Sequence, residues 1–234
     1  MRPSDPIHSG QTDVPAARPP WAGIVVYVLC LLAMVAVSWM LWDSLPDVVV
    51  TREATAERAG VQVPRFVIVA AVPVTLLIVG AVMTSTLMAG GRLRRRVDPA
   101  LVVRPQSQTK AMNVVFVVLP LFLLALHSGL LLRAAGHEVP LDRAMAVGIG
   151  LLLIALGNVL PKIGPSRVPE GSSERVVLAW QRAQRPGGLA MMLLGVACVV
   201  AAFFLPPLVV AVSAVMLVAA VYVLMGVLTG QRLR

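Results

Sequence analysis

The 234-residue chain is 58% hydrophobic and only 13% charged, whereas a soluble globular domain carries roughly a quarter charged residues, so a water-soluble fold is excluded and a lipid solvent implied. A net charge of +9 would suit nucleic acid, but the Lys and Arg residues lie between apolar runs, which points to loops at a membrane surface and to no direct nucleic-acid contact. Cys30 and Cys198 each sit inside an apolar run, as small buried hydrophobes do, and give no basis for a disulfide framework or a Cys-rich metal site.

Met1 to Pro20 carries five prolines among Ser, Gly, Gln and Asp and reads as a flexible tail with too little apolar surface to offset ordering entropy. The apolar run Trp21 to Trp42 is too long for a signal-peptide core and reads as a retained span, with Trp21, Trp39 and Trp42 at its interfaces. Further runs of spanning length are Phe66 to Ala89, Met112 to Leu132 and Ala144 to Leu160. Gly188 to Gly226 is apolar almost throughout, but as one helix it would be ~58 Å long, nearly twice the hydrocarbon thickness. Pro206-Pro207 removes two backbone donors, so the run divides into Gly188 to Leu205 and Leu208 to Leu228. The expected fold is an all-α integral membrane protein, a bundle of about six transmembrane helices.

The alternating loops give its orientation. One set, with the tail and the C-terminus, holds fifteen Lys and Arg against five acidic residues; the other holds five basic and six acidic. Net charges of +10 and −1 follow, and the positive-inside rule puts both termini in the cytoplasm of a plasma-membrane protein. Arg92 to Arg96 is the densest basic cluster, suited to anionic lipid headgroups on the inner face. The organisation expected is a tail (1–20), a two-helix unit (21–111) with outer loop 43–65 and basic inner loop 90–111, and a four-helix unit (112–234) with a cytoplasmic loop 161–187.

Chemistry is sparse. There is no Gly-rich phosphate loop, no H-E-x-x-H, no G-x-S-x-G and no carboxylate pair within a span, so neither an enzyme nor a resident cofactor is expected. His127 lies six residues before Arg133, ~9 Å below the outer boundary; it reads as a proton- or ligand-binding group or as a neutral imidazole bonded to a facing helix. His137, Glu138 and Asp47 also face outward, but nothing in the sequence brings them together and no metal site is expected. Asn158, three residues before Pro161, reads as an interhelical donor or as a cap for carbonyls freed by the proline, with Lys162 snorkelling to the inner surface. Ala144 with Gly148, and Ala197 with Ala201, have the i, i+4 spacing of close helix packing.

The interval from Gly157 to Gly188 is the longest polar stretch between spans. Pro165, Pro169 and Gly171 predict a loop, and Glu174 to Gln184 predicts a short helix capped by Ser172 or Ser173. That helix is expected to lie in the inner interface, with Trp180 among headgroups and Arg175, Arg182 and Arg185 in water. Gly187-Gly188 then opens the fifth span, offering backbone donors to a lipid phosphate or a partner carboxylate.

Gly157-Asn158-x-x-Pro161-Lys162, Trp180 and Arg185-x-Gly187-Gly188 before an apolar hairpin resemble the SdpI-type membrane immunity family, whose pattern is G-N-x-x-P-K, then G-I-R-T-P-W-T-L, then W-x-x-T-H-R-x-x-G. Arg167-Val168-Pro169 answers to R-T-P, and Ala183-Gln184 replace T-H. Leu45-Pro46-Asp47 with Val49 and Thr51 resembles the extracytoplasmic domain that often precedes this module, with Arg52-Glu53 in place of its His-Trp. The resemblance implies protection against a secreted peptide toxin outside and capture of a small regulator inside, and the motif or partner-binding residues are Asn158, Pro161, Lys162, Arg167, Trp180, Arg182, Arg185 and Gly188; Asp47, from the second resemblance, and His127, from its place within a span, are the outer candidates. The alternatives are a small transporter or permease, with His127 and Asn158 lining a path and Pro73 and Pro120 breaking their helices, or a membrane scaffold.

Overall fold

The computed structural model describes residues 20–52, 59–93, 105–159, 161 and 172–231; of 51–52, 87–93, 105–108, 172–183 and 225–231 it describes the backbone alone. Six helices cover most of the described chain: α1 (Trp21–Leu41), α2 (Arg65–Leu93), α3 (Pro105–Ala134), α4 (Leu141–Val159), α5 (Ser172–Ala201) and α6 (Pro207–Gln231). Each contains a segment long and apolar enough to cross a membrane. Backbone groups in hydrocarbon must bond within their own segment, which selects helices here. The division at Pro206-Pro207 is as expected: α5 ends at Ala201, a tight turn follows, and α6 begins at Pro207.

Helices consecutive in the chain run antiparallel, so the chain crosses back and forth and both ends of the described chain lie on one side. That side is called the terminal side here, and the opposite one the hairpin side. Between α1 and α2 the hairpin side carries a feature the apolar pattern did not announce, a two-stranded antiparallel hairpin of β1 (Val48–Arg52) and β2 (Val61–Pro64) with a register shift between Val50 and Arg52. Runs of β-branched residues, VVVT and VQV, favour extended backbone over helix once they leave the hydrocarbon.

Packing groups the helices into two clusters. Tyr27, Met34, Leu76 and Phe116 join α1, α2 and α3, while Ala146, Leu153, Met191, Cys198, Ala202, Val210 and Ala214 join α4, α5 and α6. Contact between α3 and α4 links the clusters. Pro73 and Pro120 lie inside continuous helices, so neither α2 nor α3 is broken. Each proline leaves one carbonyl without its usual donor, a defect transmembrane helices tolerate when neighbours compensate, and Pro120 is fully buried against its neighbours.

The small-residue pairs foreseen as packing surfaces are not the ones used between α4 and α5. Ala144 and Ala197 are exposed, and Gly148 faces the Phe122 ring of α3. Instead Gly150 and Gly157 on α4 meet Gly195 and Gly188 on α5. A Cβ on Gly150 would lie 2.7 Å from the Gly195 carbonyl oxygen, and one on Gly157 would lie 2.6 Å from that of Gly188. Two glycines seven residues apart on each helix form a row along one face, and removing Cβ atoms lets backbones touch where lipid offers no hydrophobic drive for association.

Candidate functional site

Three polar places emerge from this frame. The first is the terminal-side end of α4 and α5, where the interval begins and ends. Gly188 meets both Gly157 and Pro161: a Cβ on Gly188 would come 2.7 Å from Pro161 Cδ, and one on Gly157 would meet Met192 N at 2.8 Å as well as Gly188. Asn158 sits beside this contact on the exposed side of α4, and Arg185, also exposed, lies one turn before Gly188. Lys162 and Arg167 fall outside the described residues. Trp180 and Arg182 are placed in α5 by their backbone only.

The second half of the interval departs from expectation. Ser172 to Gln184 does not form a separate interfacial helix; it is the first part of α5, which runs unbroken through Pro186, Gly187 and Gly188 to Ala201. At 30 residues the helix is ~45 Å long, half as long again as a ~30 Å hydrocarbon core. Gly187 and Gly188 are buried within it. Their amides therefore belong to the helix rather than to an open N-terminus, and no phosphate-binding end exists there. The physical reason is that Gly188 meets the close approach of Gly157 and Pro161, a demand for absent side chains that resembles a helix start in sequence.

The second place is a polar seam between α1 and α3. On α1 the buried residues are Gly23, Tyr27, Cys30, Met34 and Ser38, one stripe at helical period. The Gly23 amide, an orphan donor of the first turn, donates to Asn113 Oδ1 at 2.6 Å. Tyr27 packs edge-on against Phe116 with ring centroids 5.5 Å apart, and its hydroxyl donates to the Leu76 carbonyl of α2. Near the hairpin side, Ser38 Oγ lies 2.8 Å from His127 Nε2 and 2.8 Å from the Met34 carbonyl. A hydroxyl has one proton. With that proton given to Met34, the serine must accept from His127, which assigns the hydrogen to Nε2 and leaves Nδ1 as a bare acceptor. His127 is fully buried and its Nδ1 has no partner.

The third place is the foot of the β-hairpin. Arg65, first residue of α2, pairs with Asp47 at 3.0 Å, donates to the Trp42 carbonyl at 3.3 Å, and lies over the Trp42 ring at 4.4 Å. One guanidinium thereby ties the end of α1, the hairpin and the start of α2, using its planar fork and its affinity for an aromatic face. Asp47 is exposed at this joint and His127 is buried in the seam, so the two outer candidates are not brought together. Among the described residues no group of three His, Cys, Asp or Glu could hold a metal ion.

Asn113, Ser38, Tyr27 and Arg65 were not foreseen as site residues. The signal for Ser38 and Tyr27 was available: on α1 the small and polar positions recur every three or four residues, and such residues in hydrocarbon mark the buried side. Comparison with family models, with curated proteins and with solved structures returns no match.

The seam makes a measurable claim. Ser38→Ala removes the acceptor of His127 Nε2–H and should lower stability by about 1 kcal/mol, in the range of buried interhelical bonds in membranes. Adding His127→Leu to Ser38→Ala should then cost less than the two single changes together. Strict additivity in detergent unfolding would mean the two side chains are not coupled.

Proposed function

We propose that this multi-pass membrane protein is an immunity or signal-sensing protein of SdpI type, in the plasma membrane with both termini cytoplasmic. The observation that carries this reading is the contact of Gly157, Pro161 and Gly188. These residues belong to the two ends of the resembling pattern, thirty-one positions apart, and their meeting supports that pattern as one structural unit. The orientation is supported by the charge difference between the two sets of loops, since Lys and Arg accumulate on the cytoplasmic side.

On this reading the hairpin side faces a secreted peptide. It offers Val48, Val50 and Val61, all exposed, on a short sheet held by the Arg65–Asp47 pair. The terminal side presents Asn158 at the end of α4 and Arg185 on α5, with Trp180 and Arg182 placed by their backbone one to two turns before Arg185 in the same helix. Guanidinium groups there suit either the oxyanions of anionic lipid headgroups or an acidic surface on a small regulator. A transporter path has less support, because the proline-bearing spans are continuous. His127 is buried in the α1–α3 seam near the hairpin side, whereas Asn158 is exposed at the terminal-side end of α4.

Expression of the chain should raise tolerance to a secreted peptide toxin from the same organism, and Asn158→Ala should reduce that tolerance at unchanged protein level. Equal growth with and without the gene across those peptides would remove the immunity reading. For orientation, cysteines replacing Ala59 or Glu138 should react with an impermeant maleimide on intact cells; reaction only in inside-out vesicles would reverse the assignment.

A further inference from the structure

Between α3 and α4 lies a cleft of about 410 Å³, open to the side and lined by apolar side chains. On α3 it is bounded by Val118, Phe122 and Ala125, and on α4 by Ala144, Gly148 and Leu152. Its volume falls in the range of about 300–1,000 Å³ typical of ligand clefts. Gly148 creates the depth: a Cβ there would come within 2.6 Å of the Phe122 ring, so any side chain would drive that ring into the opening.

Three observations select the occupant. First, the cleft lies within two membrane-spanning segments, so the surrounding solvent is acyl chain. Second, its lining on α4 extends from Leu141 to Leu152, eleven residues or ~17 Å along the axis, against ~15 Å for half a hydrocarbon core. It begins at the hairpin side and stops near mid-membrane, the depth of one leaflet. Third, the α3 wall has a charged terminus. Val118, Phe122, Leu126, Gly129 and Arg133 follow one another at spacings of three or four residues, so Arg133 stands at the head of the same stripe. Its guanidinium is more than half exposed and approaches Asp142 only to 3.7 Å, beyond the usual length of a charge-assisted hydrogen bond, and is thus available to a bidentate oxyanion.

We propose that this cleft is a binding site for one phospholipid of the hairpin-side leaflet, with an acyl chain between α3 and α4 and its phosphate on Arg133. The apolar walls recognise the chain by shape and exclusion of water, and Arg133 fixes the depth at which the phosphate stands. This site is independent of the immunity reading and of any toxin or regulator.

Native mass spectrometry of the full chain, titrated in detergent with dioleoyl phosphatidylglycerol or dioleoylglycerol, tests it. Wild type should bind one phosphatidylglycerol more tightly than any further copy. Ala144→Phe, which fills the cleft from its open wall, should weaken that first binding by about tenfold or more. Ala125→Phe approaches from α3 and provides the same test if the first variant fails to fold. Arg133→Gln should weaken phosphatidylglycerol while leaving the weaker binding of dioleoylglycerol unchanged. Unaltered first binding in a folded cleft-filling variant would overturn the site, and equal loss of both lipids in Arg133→Gln would overturn the phosphate contact. A benzophenone side chain replacing Ala144 should cross-link to lipid in membranes; cross-linking to a second copy of the chain instead would show that the cleft is an interface and contradict the proposal.

Discussion

The close approach of α4 and α5 through four glycines is the contact on which the second half of the bundle depends. Helices already in lipid gain little from hiding apolar surface, because the acyl chains they leave are as apolar as the partner they meet. Their association rests on dispersion and packing, which fall away with small gaps. Gly150, Gly157, Gly188 and Gly195 allow backbone to meet backbone over two turns. Met191, Cys198, Ala146 and Leu153 fill the same interface, and Val210 and Ala214 bring α6 against it. The polar interval leaves and re-enters the bundle at one end of this joint, so its two ends are fixed even though the residues between carry few apolar side chains.

The first half is held differently. Where α4 and α5 use absent side chains, α1 and α3 use hydrogen bonds: Gly23 to Asn113 near the terminal side and His127 to Ser38 near the hairpin side. Two polar stitches at opposite ends of parallel helices set both their register and their rotation. The bare Nδ1 of His127 is the exception in an otherwise satisfied seam, and it is the group most exposed to change if a proton or a water enters. Outside the hydrocarbon, Arg65 completes the frame by joining Trp42 and Asp47.

Span number and the split at Pro206-Pro207 were legible because hydrocarbon thickness imposes a length that composition alone reveals. Side-to-side packing was not. In a soluble helix an apolar stripe marks the core, but in α1 the stripe facing the protein is the less apolar one, Gly23 through Ser38, while Val25, Leu29 and Leu32 face outward. Of the i, i+4 pairs, Gly148 and Ala201 pack against the Phe122 ring and the α4–α6 cluster while Ala144 and Ala197 are exposed, and the α4–α5 joint itself uses the seven-residue spacing of Gly150 and Gly157. Gly187-Gly188 misled for a related reason. A glycine pair after a proline resembles a helix boundary, whereas here it is a contact demanded by the other helix, and only the packed structure separates the two. The hairpin was hidden because two short β-branched segments between spans look the same as loop until they pair.

The joint at Gly157 can be tested without any assumption about function. In a chain whose Cys30 and Cys198 are replaced by alanine, with a protease site inserted in the 162–171 interval, cysteines are placed at Leu153 and Met191, buried side chains of α4 and α5 in one cluster between the glycine contacts. Oxidation in native membranes followed by cleavage should leave the two fragments joined, while cysteines at Leu156, which faces outward, and Met191 should leave them separate. Fragments that separate in the first case, or remain joined equally in both, would contradict the packing of α4 on α5 and with it the meeting of the two ends of the polar interval.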